Sequence, residues 1–439
     1  MIFNRKLSDA LVREIIDHLD ASSYKPSESL QPLYDKIADS RVVMLGEASH
    51  GTHEYYVWRS RITRYLVEEK GFNVVAVEGD WPDMYEINRY IRGYASSGKE
   101  ATDVLQNFRR WPTWMWANWE IAALADWMKD HNQNKAFEEQ VGFYGLDVYS
   151  LWESLEAVRN YLKENDPKAL QAATQAMECF EPHDKEGANY GSFARFSPET
   201  CEDEVVSLLR QIRKRSPMYD SDPETPFSTE QNALIAVNAE KYYRAMMGGG
   251  ANSWNIRDRH MMETLERLLD FHGSDAKAVV WEHNTHIGDA RATDMAEDGL
   301  VNTGQLAREK YGNENVSLVG FGSYGGSVIA GDSWGAPMRK MPVPEARENS
   351  WEELLHKAKP EDKLILSDDL PREIFKRALD HRAIGVVYHP ESERFGNYVP
   401  SVIPKRYDAF LYFDRTEALH PLGIKPYGDK VPETYPWKF

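Results

Sequence analysis

Cysteine is almost absent: Cys179 and Cys201 are the only two in 439 residues. So few thiols exclude a fold held by a disulfide framework and point to a reducing, cytoplasmic location. No run of 18 apolar residues occurs, so no bilayer-spanning helix is expected. The first stretch, MIFNRKLSDALVREIIDHLD, mixes charge with apolar residues at helical spacing and lacks the continuous apolar core of a secretory signal. Basic residues are outnumbered, with 52 Lys and Arg against 70 Asp and Glu, for a net charge of −18. Nucleic acid needs a basic face, and anionic membranes repel such a chain, so neither partner is expected.

Several catalytic signatures are missing as well. GDSWG (331–335) has G-x-S-x-G spacing, but it falls in a glycine-rich stretch read as a loop or hairpin and not at a strand-to-helix elbow, so the usual serine-hydrolase reading is unsupported. GFGSYG (320–325) has G-x-G-x-x-G spacing but runs into the glycine-rich loop or hairpin and not into a helix, so no dinucleotide cofactor is indicated, and there is no H-E-x-x-H zinc helix. The glycine-rich stretch GSYGGSVIAGDSWG (322–335) lacks a Lys-Ser/Thr ending and reads as a loop or hairpin, not a phosphate cradle. Neither cysteine lies near a motif histidine, so a thiol nucleophile is unsupported. Ser49 precedes His50, but adjacent side chains seldom face each other.

What is present is an ordinary globular composition, 42% hydrophobic and 28% charged, in a chain long enough for a large core. Short β-branched runs recur: RVVML (41–45), NVVAV (73–77), VGFYG (141–145), AVVW (278–281), VSLVGF (316–321), KLIL (363–366), AIGVVY (383–388) and AFLYF (409–413). They do not alternate apolar with polar, which predicts strands covered on both faces. Helical patterns fill 52–70 and 82–96. From about 149 to 272 no strand pattern appears, only helical stretches separated by turn-rich pieces such as HDKEGANYGSF (183–193) and SPMYDSDPETPF (216–227). The expected fold is therefore α/β: a mostly parallel sheet flanked by helices, with an all-helical insertion forming one wall of a cleft. The expected division is an α/β core at 1–148, the insertion at 149–272, and the rest of the core at 273–439.

Ionisable residues sit where such strands end. Glu47 and His50 follow RVVML in GEASHG, Glu78 ends NVVAV, Asp147 follows VGFYG, and His283 and His286 follow AVVW in EHNTHIGDAR. If the strands are parallel, all these ends meet at one sheet edge, where ligands of open α/β sheets bind. Taken singly, each residue has a plain structural reading. A histidine after a strand is usually a loop residue bonded to backbone, Glu78 could cap a helix, and Asp147 could be an N-cap. Their convergence is what argues for a site. Imidazole beside carboxylate suits proton abstraction from water, and the guanidinium groups of Arg59, Arg61 and Arg64 suit a developing oxyanion. Glu47-x-x-His50 and His283-x-x-His286 also have metal-ligand spacing, so a metal-dependent hydrolase stays open at this point, as does a non-catalytic binding protein. In RRWPTWMWANWE (109–120), Trp114 and Trp116 are candidate walls of an apolar cleft, against the alternative of a core cluster. In GGGANSWNIRDRHM (248–261), Arg257 and Arg259 could reach an anionic group, against the alternative of surface arginines on a capped helix.

At these motifs the chain resembles the erythromycin esterase family. The matching segments are VVMLGEASHGTHEYY, ITRYLVEEKGFNVVAVEGDWPD, NRYIRG, FYGLDVYSL, NIRDRHM, VVWEHNTHIGDARATDM, NTGQLAREKYG and RAIGVVYHPESER, spread over roughly 41–415. The resemblance implies an α/β core with a helical subdomain and a cleft between them. It implies hydrolysis of a small-molecule ester or macrocyclic lactone, such as a macrolide antibiotic, by a histidine-activated water without an essential metal or other cofactor. On that pattern His50 is the general base, Glu47 and Glu78 support it, Arg59 lies nearby, and His283 and His286 complete the site. Oligomeric state is not legible in the sequence.

Overall fold

The computed structural model describes residues 7–94, 97–183, 188–195, 197, 200–213, 223–246 and 251–423. The expected apolar runs form a sheet of strands β1 (Ser23–Tyr24), β2 (Val42–Leu45), β3 (Val74–Asp80), β4 (Gly142–Asp147), β5 (Ala278–Trp281), β6 (Val316–Ala330), β7 (Arg339–Val343), β8 (Lys363–Leu366) and, last, β11 (Ala409–Thr416). Between the last two, β9 (Leu379–Arg382) and β10 (Tyr398–Ser401) form a separate antiparallel pair. The main order is β4-β3-β5-β2-β6-β11-β8-β1. Strands β4 through β11 in that order are all parallel; only β8 and β1 at one end, and β7 on the extension of β6, run antiparallel. The fold is a mostly parallel α/β sheet flanked by helices.

Alternate residues of each strand enter different cores, which explains why the strands read as unbroken apolar runs. Val43, Leu45, Val75, Val77, Val279 and Trp281 join one cluster, while Val42, Met44, Val74, Ala76, Ala278 and Val280 join the other. Burying both faces removes any selection for a polar side.

The helices, in chain order, are α1 (Asp9–Ala21), α2 (Gln31–Ile37), α3 (His53–Lys70), α4 (Trp81–Ile91), α5 (Ala101–Leu105), α6 (Trp119–Asn132), α7 (Leu151–Asn165), α8 (Pro167–Phe180), α9 (Ala188–Ala194), α10 (Glu202–Arg213), α11 (Thr225–Met246), α12 (Ala251–His272), α13 (Asn284–Ile287) and α14 (Thr303–Tyr311). Helix α3 starts after Thr52 in extended conformation and stops at Gly71, whose φ of 70° suits a residue without a Cβ. Its buried stripe of Tyr55, Tyr56, Arg59, Ile62, Thr63, Leu66 and Val67 follows helical spacing, so Arg59 is carried inward with the apolar residues. Among the described residues every element between β4 and β5 is helical, and α7, α8, α10 and α11 share an apolar cluster of their own. The turn-rich piece at 214–222 and the glycines at 248–250 lie outside the described residues.

Two expectations are corrected. AIGVVY (383–388) is not a strand: it touches the sheet only through single bridges, Ile384 to Ser49 and Val387 to Gly331. Its apolar residues are buried because the segment crosses the edge of the sheet, where Ile384 N–H donates to the Ala48 carbonyl. The glycine-rich stretch is half strand: β6 runs on to Ala330 and then turns back as a hairpin with β7.

The cysteines bring a further correction. Cys179, near the end of α8, and Cys201, just before α10, form a disulfide. The pair therefore gives no support to a reducing compartment. Among the described residues, no helix is long and apolar enough to cross a membrane. Because the bond closes a loop of 22 residues, Cys201→Ser should lower the stability of this helical layer by about 3 kcal/mol, read from chemical denaturation without reductant. Non-reduced peptide mapping should recover the Cys179–Cys201 link; free thiols at both positions would contradict the bond.

Candidate active site

Strands β4, β3, β5 and β2 are neighbours in that order, so their carboxyl ends form one continuous edge. Asp147 ends β4, Glu78 lies in β3, His283 follows β5, and Glu47 and His50 follow β2. The pairing of β3 with β4 shifts register between Val77 and Asp80, beside Glu78. Such irregularities re-aim side chains at sheet ends.

His50 is buried, and its Nδ1 lies 2.8 Å from Glu47 Oε1. The other Glu47 oxygen accepts from Arg59 Nη2 at 2.7 Å. The Arg59 guanidinium lies against the faces of Tyr56 and Trp281, its carbon 4.5 and 4.6 Å from the ring centres. Arg61 and Arg64 do not enter this cluster; they lie against Trp58 and Trp127. Ser49 pairs with Thr52, not with His50. The ring of His283 stands 5.0 Å from that of His50.

Arg257, on α12, is the centre of the second half. It donates to Asp147 through Nε at 2.9 Å and Nη2 at 2.7 Å, to Glu78 Oε1 at 2.7 Å, and to His286 Nε2 at 2.8 Å. Guanidinium has only donors, so His286 Nε2 accepts and its proton sits on Nδ1. There it faces Asp258, 2.9 Å away. Trp254 stacks on the same imidazole at 4.5 Å. Glu78 uses its second oxygen to accept the backbone N–H of His283 at 2.7 Å.

These contacts set the charges. Burial opposes a charged His50, but the carboxylates of Glu78 and Glu47 outweigh it and raise the imidazole above its ordinary value. Burial would raise Glu78, yet His286, Arg257, His50 and the His283 N–H together hold it far below the usual carboxylate range. With the His286 proton on Nδ1, that ring acts on Glu78 as a dipole, and Arg257 supplies the full positive charge. His283 is driven the other way, first by burial and then by the nearby charge of His50, so it stays neutral.

Part of the set borders a cleft of about 720 Å³, counting its open mouth, while Glu47, His283 and His286 lie behind its lining. His50, Glu78, Asp147 and Arg257 face it, as do Trp111, Trp116, Tyr149 and Trp334. Trp116 also donates through Nε1 to the Glu78 carbonyl at 3.1 Å. Of the expected substrate contacts, Trp116, Asp147 and Arg257 line this cleft. Trp114 does not: it is buried in the apolar core. Arg259 does not either, because the helical turn that points Arg257 inward leaves it exposed. Sequence reasoning missed Asp258, the partner of His286, although it sits in the quoted NIRDRHM motif. It also missed Asp80, Asp83 and Arg110 at the mouth. Arg110 clamps Asp80 at 2.9 and 2.7 Å; burial still pushes Asp80 up to about 6, and Asp83 well above its ordinary value.

The donor atoms of Glu47, Glu78 and His286 are already committed, while His283 Nε2 is buried without a hydrogen-bond partner. Both oxygens of Glu47 and of Glu78 and both nitrogens of His286 meet a guanidinium, an N–H or a hydrogen-bonding partner within 2.9 Å. A metal ion would have to displace arginine.

Two outcomes follow from this geometry. Arg257→Leu should cost about 3–5 kcal/mol in denaturant unfolding, because it leaves two buried carboxylates uncompensated. His50 should titrate above about 6.5 by NMR. Its raised value means that the stability it contributes is fully present below the unfolded value and is lost as pH rises through the folded one; His50→Gln should remove that part of the pH dependence.

The model of the family described as erythromycin esterase matches residues 67–416. Erythromycin esterase type II of Escherichia coli is 25% identical over 324 residues, covering 69% of this chain and 74% of that protein. The Bacillus subtilis (strain 168) protein YbfO, named as a hydrolase, is 22% identical over 417 residues, 90% of this chain and 88% of its own. Among solved structures, a succinoglycan biosynthesis protein superposes with a TM-score of 0.76 at 19% identity, over 94% of this chain and 100% of that one. A mutant of erythromycin esterase EreC in its open conformation superposes with a TM-score of 0.66 at 16% identity, over 93% of this chain and 98% of that one. With its model matched over most of the length, the chain belongs to the erythromycin esterase family.

Proposed function

We propose that this protein hydrolyses an ester or lactone with a water activated by His50. The observation that carries the reading is the orientation of His50: Glu47 takes Nδ1 at 2.8 Å, which leaves Nε2 as the basic nitrogen of a residue that borders the cleft. Nε2 removes a proton from water as the oxygen attacks the acyl carbon. Glu47 and Glu78 stabilise the imidazolium that forms. Arg257 has five N–H groups, and four are engaged in the contacts above; the remaining one on Nη1 is the donor for the oxyanion. The acyl C–O bond then breaks, the His50 proton passes to the leaving alkoxide, and the products are an acid and an alcohol.

The committed carboxylates favour this scheme over a metal-dependent one. The aromatic wall of Trp111, Trp116 and Trp334 suits a bulky, largely apolar small molecule, and a macrolide is one such substrate. We also read 149–272 as an insertion that divides the α/β core into 1–148 and 273–439, supported by the separate apolar cluster of its helices. It supplies Tyr149 and Arg257 to the cleft wall.

The test is a screen of the purified protein against macrolides, simple esters, lactones and amides, followed by His50→Ala. Loss of the general base should lower kcat/KM for the best substrate by about 10²–10⁴-fold with the fold intact by circular dichroism. Near-normal turnover by a folded His50→Ala protein would sink the role assigned to His50.

A further inference from the structure

Away from the cleft, three side chains from distant parts of the chain converge on one another. His53 opens α3, Glu120 lies in the first turn of α6, and His420 belongs to the segment after β11. Their ligand atoms all lie within 4.8 Å of one another, and among the described residues no other group of three or more such side chains does so. Both imidazoles aim Nδ1 at the same oxygen: His53 is 2.6 Å and His420 2.7 Å from Glu120 Oε1. The rings stand 5.0 Å apart and nearly perpendicular, at 86°.

Glu120 is the anomaly. Its side chain is only 5% exposed, and Oε2 is buried without a hydrogen-bond partner. One oxygen is crowded by two donors while the other has none, an arrangement that a buried carboxylate rarely keeps without a further ligand. No arginine or lysine pairs with it among the described contacts, in contrast to Glu47 and Glu78. The positions are also fixed by main chain. Thr52 bridges to Ala418 and Asn118 to Pro421, and the N–H groups of His53 and Trp119 donate to the carbonyls of Glu417 and His420 at 2.9 and 3.0 Å. Solvent reaches the cluster through the histidines, whose side chains are 33% and 56% exposed.

We propose that His53, Glu120 and His420 bind a divalent transition metal, zinc being the best match, which staples the segment 417–422 to the starts of α3 and α6. Two imidazoles and one carboxylate are a known zinc donor set, with water as the fourth ligand. Calcium and magnesium call for many oxygen ligands and find one carboxylate here. Ligands about 2.0–2.1 Å from a tetrahedral ion stand about 3.3 Å apart, so the two Nδ1–Oε1 contacts need to open by roughly half an ångström. Two half-exposed rings can supply that movement. The clip holds the entry of α3, the helix that carries Arg59 to Glu47.

The test uses the full-length protein stripped with chelator. Cobalt titration should give visible d–d absorption at one ion per chain, zinc should bind with the same stoichiometry by calorimetry, and zinc should raise the thermal midpoint. Glu120→Gln and His420→Ala should each weaken binding by more than the roughly 10–100-fold typical of losing only an outer partner, whereas His50→Ala should bind as the parent does. His420 is exposed enough for its variant to fold even if Glu120→Gln does not. No stoichiometric binding, binding that survives His420→Ala, or binding abolished by His50→Ala would each overturn the assignment. The readout is independent of esterase activity, so its failure leaves the role of His50 untouched, and the reverse also holds.

Discussion

The guanidinium of Arg257 is what allows the sheet edge to exist in its folded form. Asp147 and Glu78 are buried side by side at the ends of neighbouring strands. Two carboxylates in that position repel each other and lose their hydration, and a single cation between them is the counterweight. That cation comes from α12, 110 residues after Asp147. The helical layer is therefore fastened to the sheet by electrostatics as well as by apolar packing. The same residue fixes the tautomer of His286 and, through it, engages Asp258. Remove that charge and the two halves of the structure have less reason to meet.

Around this centre the site is divided by charge. At its inner end the ionised Glu78 and Glu47 keep His50 prone to hold a proton. At its mouth, burial drives Asp80 and Asp83 toward their protonated forms. Arg110 offsets this only in part. The wall that meets an incoming molecule is thus less charged than its residue types suggest, and it is faced with tryptophan. A raised pKa makes the imidazole a stronger acceptor for the proton of water, the property a general base needs. The two ends suit one sequence of events: admission of an apolar molecule, then hydrolysis where the field is strongest.

Much of this was legible because doubly covered parallel strands write themselves as apolar runs, and because strand ends in such sheets share an edge. Glu47, His50, Glu78, Asp147 and His283 follow from those two facts alone. The same rule misread 383–388, whose apolar residues are buried by crossing the edge of the sheet. It also could not see the tether of Cys179 to Cys201, since pairing depends on where helices place two Cα atoms 5.9 Å apart. Asp258 and the Asp80–Arg110 pair were hidden for a related reason. A residue on a helix or loop gains its role from the rotation and docking of that element, which local spacing does not encode. Arg257 and Arg259 make the point: two residues apart on one helix, one is the hub of the site and the other is exposed.

Histidine and glutamate meet in two contrasting settings, the cleft and the cluster of His53, Glu120 and His420, and the contrast between them is more informative than composition. In the cleft every carboxylate oxygen of Glu47 and Glu78 meets a cationic or N–H partner, so the imidazole beside them is left to handle protons. At His53, Glu120 and His420 no guanidinium intervenes; two imidazoles compete for one oxygen and the other is bare. Identical residue types thus stand in two different electrostatic settings, which is the basis on which we propose a base in one and a ligand set in the other. What decides between them is whether arginine is built in. An arginine supplies positive charge permanently and with a fixed fork of donors, so carboxylates paired with one have less need of a metal. A site that lacks one has to borrow its positive charge from solution. That difference explains why Glu-x-x-His spacing, taken alone, pointed at metal where the folded protein has placed arginine, while the other candidate ligand set joins residues 67 and 300 positions apart, beyond the reach of any spacing rule.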